Sequence, residues 1–171
     1  MRTTTSPRLP LRPARATIRL DAPLRRDRRA AAAWALAHGR PLDLDALTVL
    51  LAVVEESARI EQRPADRWTP NTVLNLLFGA AVEWCRRQSV ELPASMGESL
   101  YTYLRFLHDR QRFGDGSAPI TELCTTTIEL AGLTGDGRIR HRSPTFRTTP
   151  GTLAGSRSAH PGGSNLRQLR I

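Results

Sequence analysis

Lysine is absent from this 171-residue chain, and all 25 basic residues are arginine. Such a complete bias indicates the codon usage of a GC-rich genome more than a chemical requirement. We therefore do not treat the arginines as selected for bidentate phosphate contacts, although the guanidinium group suits that role. The absence also excludes a P-loop, which needs a lysine to reach the nucleotide phosphates. The turn at 114–117 (Gly-Asp-Gly-Ser) precedes a predicted helix, but its aspartate would repel phosphate.

Cysteine is scarce as well. Cys85 and Cys124 are 39 residues apart, and no Cys-x-x-Cys occurs. This usage predicts two free, partly buried thiols in a cytoplasmic protein. Arg86 and Arg87 follow Cys85 and could lower its pKa, as in activated cysteines. No histidine is nearby in sequence, however, and the position on an apolar helical face favours a packed residue.

Long hydrophobic runs are missing too. The longest, at 46–54, has nine residues, about half of what a membrane span needs. The first thirty residues lack the apolar core of a secretory signal. The first twenty contain five arginines and no acid, which resembles a mitochondrial transit peptide, but Pro7, Pro10 and Pro13 would break its amphipathic helix. We expect no membrane association.

Residue patterns typical of catalytic and metal sites are also absent. No histidine has a cysteine or a second histidine three or four positions away, and neither His-Glu-x-x-His nor Gly-x-Ser-x-Gly occurs. Glu55 and Glu56 are adjacent, so on a helix they point about 100° apart and cannot easily share a proton. We therefore predict a protein that is not an enzyme and has no catalytic residue, metal or cofactor.

Charge is distributed unevenly along the chain. Residues 1–29 carry nine arginines and two acids, residues 30–133 nine arginines and thirteen acids, and residues 134–171 seven arginines and one acid. Arg25, Arg26, Arg28 and Arg29 form the densest cluster and are the candidate nucleic-acid contacts, because counterion release drives such binding without a fold. Two alternatives stay open: the cluster is solvated, or it lies on the acidic surface of the domain itself.

Composition divides the chain into three parts. Residues 1–27 and 134–171 are rich in Arg, Pro, Gly, Ser and Thr, which predicts disordered basic tails. Residues 28–133 predict one all-α domain, a compact bundle of about five helices. We expect helices near 27–38, 45–62, 70–87, 96–112 and 119–130. Residues that typically begin or end helices mark several of these boundaries. Asp43 or Asp45 and the Thr69-Pro70 pair begin helices, and Gly132 ends one.

Helical spacing predicts which faces are buried. The first half of the second helix is apolar nearly all round, and the third helix has two adjacent apolar faces, so we expect both helices to be central. The threonine of the fourth helix should face water. The predicted inward faces are Ala30, Ala33, Trp34 and Ala37; Val73, Leu77, Ala80 and Trp84, with Leu74, Phe78, Ala81 and Cys85 beside them; Met96, Leu100, Tyr103, Leu104 and Leu107; and Ile120, Leu123, Cys124, Thr127 and Ile128. The predicted solvent-exposed face of the fourth helix consists of Glu98, Thr102, Arg105 and Asp109.

Three segments carry a family resemblance: Trp68-Thr-Pro-Asn-Thr-Val, Glu83-Trp-Cys-Arg-Arg and Leu100-Tyr-Thr-Tyr-Leu-Arg-Phe-Leu. Together they resemble the helical core-binding domain of tyrosine recombinases, which implies DNA binding. No catalytic domain follows them, and positions that should face DNA, such as Leu76 and Leu77, are apolar. Extended through Phe113-Gly-Asp-Gly-Ser, the stretch also resembles a helical module of uncharacterised proteins from GC-rich bacteria, which implies no particular function.

These observations favour a cytoplasmic, non-enzymatic helical interaction protein that binds another protein or itself. The alternative is a DNA-binding accessory protein with a recombinase-like helical domain, in which the basic tails contact nucleic acid without sequence preference.

Overall fold

The computed structural model describes residues 18–140, so the predicted disorder of residues 1–17 and 141–171 lies outside the described residues. Residues 18–140 form helices and no strand, with one isolated antiparallel bridge between Leu133 and Ile139. The all-α prediction is confirmed. The elements are α1 (Ala22–Ala37), α2 (Leu44–Glu61), α3 (Pro70–Asn75), a π-helical turn (Leu76–Ala80), α4 (Ala81–Gln88), α5 (Met96–Asp109) and α6 (Ile120–Ala131).

Local chemistry begins and ends the helices where the sequence indicated. The Asp43 carboxylate accepts the backbone N–H groups of Asp45 at 2.7 Å and Ala46 at 3.1 Å. Thr69 accepts the N–H of Thr72 at 3.2 Å, directly before the proline that opens α3. Both caps satisfy donors that have no partner inside the helix. Gly132 ends α6 with a φ of 63°, which glycine adopts without strain.

The N-terminal boundary needs correction, because α1 begins at Ala22 and not near residue 27. Asp21 caps it by accepting the N–H of Leu24 at 2.9 Å. The buried face runs through Ala31, Trp34 and Ala35 and continues back to Leu20. The prediction placed this face one residue too early, and Ala30, Ala33 and Ala37 are exposed. Leu20 and Leu24, which the prediction left outside the helical domain, pack on the same core.

The C-terminal boundary also moves, from residue 133 to at least 140. Gly137 has a φ of 81° and lies flat on the ring of Tyr101, where a Cβ would come within 2.2 Å of a ring carbon. Arg40 donates to the Asp136 carbonyl at 3.1 Å, and Glu98 accepts the N–H of Ile139 at 3.2 Å. Residues 134–140 therefore cover one side of α5. The turn at 135–137 (Gly-Asp-Gly) lets the chain make this contact.

Helix α5 is the central element of the bundle. Ten of its 14 residues are buried, including the whole inward face that was predicted. Thr102, predicted to face water, is buried and donates to the Pro41 carbonyl at 2.7 Å. Ser99 accepts the N–H of Asp43 at 3.1 Å. These hydrogen bonds let hydroxyl groups enter the core without losing their partners.

Helix α3, the π-helical turn and α4 follow one another without a break, and we call residues 70–88 the α3–α4 rod. The π-helical turn changes the helical register within this rod. A π turn adds one residue, which rotates the following helix by roughly 100° relative to a regular α-helix. Leu76 at the start of the turn is buried, while Phe78 within it, predicted to face the core, is exposed. Leu74, also predicted to face the core, lies before the turn and is exposed as well. Val73 before the turn and Ala81, Trp84 and Cys85 after it keep one continuous buried face. Within residues 18–140, no helix is long and apolar enough to cross a membrane.

Candidate interaction surfaces

The outer face of the α3–α4 rod carries three large apolar side chains in a row. Leu74 is 44% exposed, Phe78 60% and Val82 44%. Residues four apart on a regular α-helix drift by 40° per step. The π turn between them removes most of this drift, so the three side chains align. We call Leu74, Phe78 and Val82 the apolar stripe.

The charged residues near the C-terminal end of the apolar stripe are paired within the chain. Arg86 makes two hydrogen bonds to Glu83, at 2.8 and 3.0 Å, and this contact lowers the pKa of the Glu83 carboxyl. Arg87 donates to Glu56 of α2 at 2.7 Å. These pairs are solvent-exposed and add little to stability. They balance the charge of both arginines at this end of the stripe.

The four predicted nucleic-acid contacts all lie on α1, and the structure divides them. Arg25 donates to the Leu20 carbonyl at 2.8 Å, and Arg28 makes a longer contact of 3.4 Å to the Leu44 carbonyl. Arg26 and Arg29 are exposed. Helical geometry places Arg25, Arg26 and Arg29 within an arc of about 100°, opposite the buried face of α1. Three of the four can thus face one partner.

The described residues carry no net charge. Residues 18–140 contain sixteen arginines and all sixteen acids of the chain. The excess of nine positive charges lies in residues 1–17, with four arginines, and residues 141–171, with five. Neither terminal segment contains an acid, so the basic character of the protein belongs to the parts outside the described residues.

A cleft of about 380 Å³ opens between the first turns of α1, the middle of α2, the end of α5 and the segment after it. Buried apolar and aromatic side chains line its floor, and charged side chains stand at its rim. We call it the acidic cleft. Its floor includes Leu51, Val54, Trp68, Tyr103 and Leu107, and its charged rim is Asp27, Glu55, Asp66 and Arg112.

One strong ion pair crosses the acidic cleft. Arg112 donates to both carboxylate oxygens of Asp27, at 3.0 and 2.7 Å, and this hydrogen bonding raises the pKa of the arginine. Burial raises the pKa of the Tyr103 hydroxyl, and the Asp27 carboxylate raises it further. Tyr103 is therefore a neutral hydrogen-bonding group at physiological pH. Glu55 and Asp66 complete the rim, so three carboxylates face one guanidinium.

The sequence did not reveal the acidic cleft. Asp27 and Arg112 are 85 residues apart, and neither belongs to a motif. In the sequence, Asp27 marks only the boundary between the basic N-terminal segment and the first predicted helix, and Glu55 stands out only as the neighbour of Glu56. Only the packing of α1 against α5 brings these side chains together.

Two features considered in the sequence have structural roles. The 114–117 turn pairs with the segment before α3: Gly114 donates to the Asp66 carbonyl at 2.9 Å, and the Ser117 hydroxyl accepts the N–H of Trp68 at 3.0 Å. Its polar groups are therefore engaged by the protein itself. Cys85 and Cys124 are buried free thiols, and burial raises the pKa of each. An activated thiol needs the opposite shift.

Among residues 18–140, no group of three His, Cys, Asp or Glu side chains is placed to hold a metal ion. Comparison of the chain with protein-family models, with curated proteins and with solved structures gave no match.

Proposed function

We propose that this chain is a non-enzymatic helical interaction protein of the cytoplasm that associates with a second copy of itself through the apolar stripe. The observation that carries the proposal is the alignment of three exposed apolar side chains, with Phe78 60% exposed at their centre. Single exposed apolar residues are normal on protein surfaces, whereas the apolar stripe aligns three of them on one face, and apolar surface rimmed by polar residues marks interaction sites as its area grows. The two free, buried thiols fit a reducing compartment.

The spacing of the apolar stripe suits a symmetric contact. Leu74 and Val82 lie four residues on either side of Phe78. If two rods cross antiparallel at Phe78, a two-fold axis brings Leu74 of one copy against Val82 of the other. Such self-complementary contacts are the commonest basis of homodimers. Residues 18–140 have no net charge and so do not themselves repel a second copy, whereas the excess of nine positive charges lies in residues 1–17 and 141–171.

The area of the stripe indicates a weak complex. The three side chains expose on the order of 250 Å² of apolar surface per copy, against about 800 Å² per partner in a stable interface. Association carries a large entropic cost, so only a small net free energy remains. We expect a reversible dimer with a dissociation constant in the micromolar range or above.

Sedimentation velocity over a wide concentration range tests the proposal. The wild-type protein should shift reversibly from monomer to dimer, and Phe78→Glu should remain a monomer. The matched control is Leu36→Glu on α1, because Leu36 is 84% exposed but stands apart from the stripe. A wild-type chain that stays monomeric at millimolar concentration contradicts self-association. A dimer that Leu36→Glu breaks as readily places the interface elsewhere.

DNA binding is the second candidate function, and the exposed arc of Arg25, Arg26 and Arg29 on α1 favours it. The resemblance to recombinases would place Leu76 against DNA. Leu76 is instead buried in the core, which weakens the recombinase-like interpretation. We expect any affinity to be independent of sequence. It should fall with salt, at a log–log slope of about −0.9 per phosphate neutralised.

Fluorescence anisotropy with two unrelated duplexes of equal length measures this affinity. Replacing Arg26 and Arg29 together by alanine should reduce the salt slope by about two phosphate contacts if α1 takes part. The matched control is the double replacement of Arg86 and Arg87, which lie on α4. A clear preference for one duplex would require base-edge contacts from the helices and would favour the recombinase-like reading.

A further inference from the structure

We propose that the acidic cleft is a binding site for an arginine-bearing, proline-spaced extended peptide, and that residues 7–13 of this chain supply that peptide. The proposal is separate from self-association, because the acidic cleft involves α1, α2 and α5 and not the apolar stripe. It assigns a ligand class to the cleft and an intramolecular partner to the basic N-terminal segment.

The charge of the rim selects a cation. Asp27 is already paired with Arg112, at 2.7 and 3.0 Å. Within residues 18–140, no hydrogen bond or ion pair engages the Glu55 carboxylate. The Asp66 carboxylate makes neither contact, but it lies near enough to Arg112 to help raise the pKa of that arginine. Both carboxylates stand at the mouth of the cleft. A guanidinium group that enters can pair with them, while Arg112 keeps its own partner.

The floor of the acidic cleft selects an amphipathic ligand. Trp68, Tyr103 and Leu107 are buried, and their surfaces form an apolar base below the carboxylates. An arginine side chain matches this arrangement, because its three-carbon stem packs on apolar and aromatic surface while its head stays at the polar level. A cleft of about 380 Å³ takes one or two such side chains and not a folded element.

The sequence of residues 7–13 carries the complementary pattern. It reads Pro-Arg-Leu-Pro-Leu-Arg-Pro, with a proline at every third position. Proline-rich segments favour the polyproline II conformation, which has three residues per turn. In that conformation the prolines share one edge, Arg8 and Leu11 share the second, and Leu9 and Arg12 share the third. Each edge without proline thus presents one cation beside one apolar side chain, which suits a cleft with an acidic rim and an apolar floor.

The chain has the length to bring this segment to the acidic cleft. Pro23, Leu24 and Asp27 belong to the first turns of α1 and line the cleft. Ile18, the first described residue, packs on the core five residues before Pro23. Five residues span at most about 17 Å, and the five between Pro13 and Ile18 add the same distance. The four arginines of residues 1–17 are accompanied by no acid, so this segment brings only positive charge to the carboxylates of the rim.

Paramagnetic relaxation in the full-length chain tests the proposal. A nitroxide is attached to Ser6→Cys, which is selective because Cys85 is 2% and Cys124 7% exposed. We expect amide signals of Gln111 and Phe113 at the acidic cleft to lose at least about half of their intensity. Amide signals of the apolar stripe should keep theirs. The double variant Glu55→Gln and Asp66→Asn should restore the cleft signals.

The matched control is Glu91→Gln with Glu122→Gln, which removes the same charge from exposed positions elsewhere. It should leave the broadening at the cleft unchanged. Broadening centred on another surface, or broadening that survives the loss of Glu55 and Asp66 charge, overturns the proposal. Broadening in a mixture of spin-labelled and isotope-labelled chains at low concentration would assign the peptide to another copy, which also overturns it.

Discussion

Helix α5 and the α3–α4 rod show opposite relations between sequence and burial. Helix α5 contains serine, threonine and two tyrosines, yet ten of its 14 residues are buried. The rod contains Leu-Asn-Leu-Leu-Phe-Gly-Ala-Ala-Val, yet Leu74, Phe78 and Val82 face outward. Burial in this bundle is thus decided by position and by hydrogen bonding, and the number of apolar residues in a helix is a poor guide to it.

The explanation for α5 is that each buried hydroxyl has a partner. Ser99, Thr102 and Thr127 are the buried polar residues among residues 18–140. Thr102 donates to the Pro41 carbonyl and Thr127 to the Leu123 carbonyl, both at 2.7 Å. A buried hydroxyl without a partner would cost about 1–3 kcal/mol. With partners, these hydroxyl groups are buried without that cost, and Ser99 and Thr102 also hold the backbone of Asp43 and Pro41 before α2.

The largest expected effect compares two phenylalanines. Phe106 of α5 is 2% exposed, stacks on Tyr103 and meets Trp34 edge-on. Phe106→Ala should lower the free energy of unfolding by about 3–5 kcal/mol, as for other buried aromatics. Phe78→Ala on the apolar stripe should change it by less than about 0.5 kcal/mol. Urea denaturation followed by circular dichroism measures both.

A second buried aromatic on the rod serves as the control for this comparison. Trp84 is 6% exposed on α4, and Trp84→Ala should also cost about 3–5 kcal/mol. The expected contrast therefore follows burial and not the choice of helix. If Phe78→Ala destabilises the monomer as much as Phe106→Ala, the stripe is part of the core and the proposed interaction surface is wrong.

The helical secondary structure and the residues at which several helices begin could be predicted from the sequence, because both depend on local chemistry. A capping carboxylate such as Asp43 and a proline such as Pro70 act within one turn of their own position. The buried face of α5 was also recognisable, since Met96, Leu100, Tyr103, Leu104 and Leu107 follow the helical period.

Register and long-range pairing could not be predicted in this way. A π turn leaves no periodic signal that distinguishes it from a regular helix, so the exposure of Phe78 was missed. Thr102 looked solvent-facing because its partner, Pro41, lies 61 positions earlier in the chain. The rim of the acidic cleft has the same origin, since Asp27 and Arg112 meet only after α1 has packed against α5.

The smaller prediction isolates the hydroxyl of Thr102 from its volume. Thr102→Val keeps nearly the same size but leaves the Pro41 carbonyl without its donor, so it should cost about 1–3 kcal/mol. Thr102→Ser keeps the donor and loses a methyl group, so it should cost about 1 kcal/mol. Thr125→Val on the exposed face of α6 is the matched control and should stay within about 0.5 kcal/mol of wild type. Urea midpoints with unchanged m-values measure all three. If Thr102→Val is as stable as wild type, packing alone explains the burial of α5. The difference in burial between α5 and the α3–α4 rod then follows only from which face each helix turns toward the core.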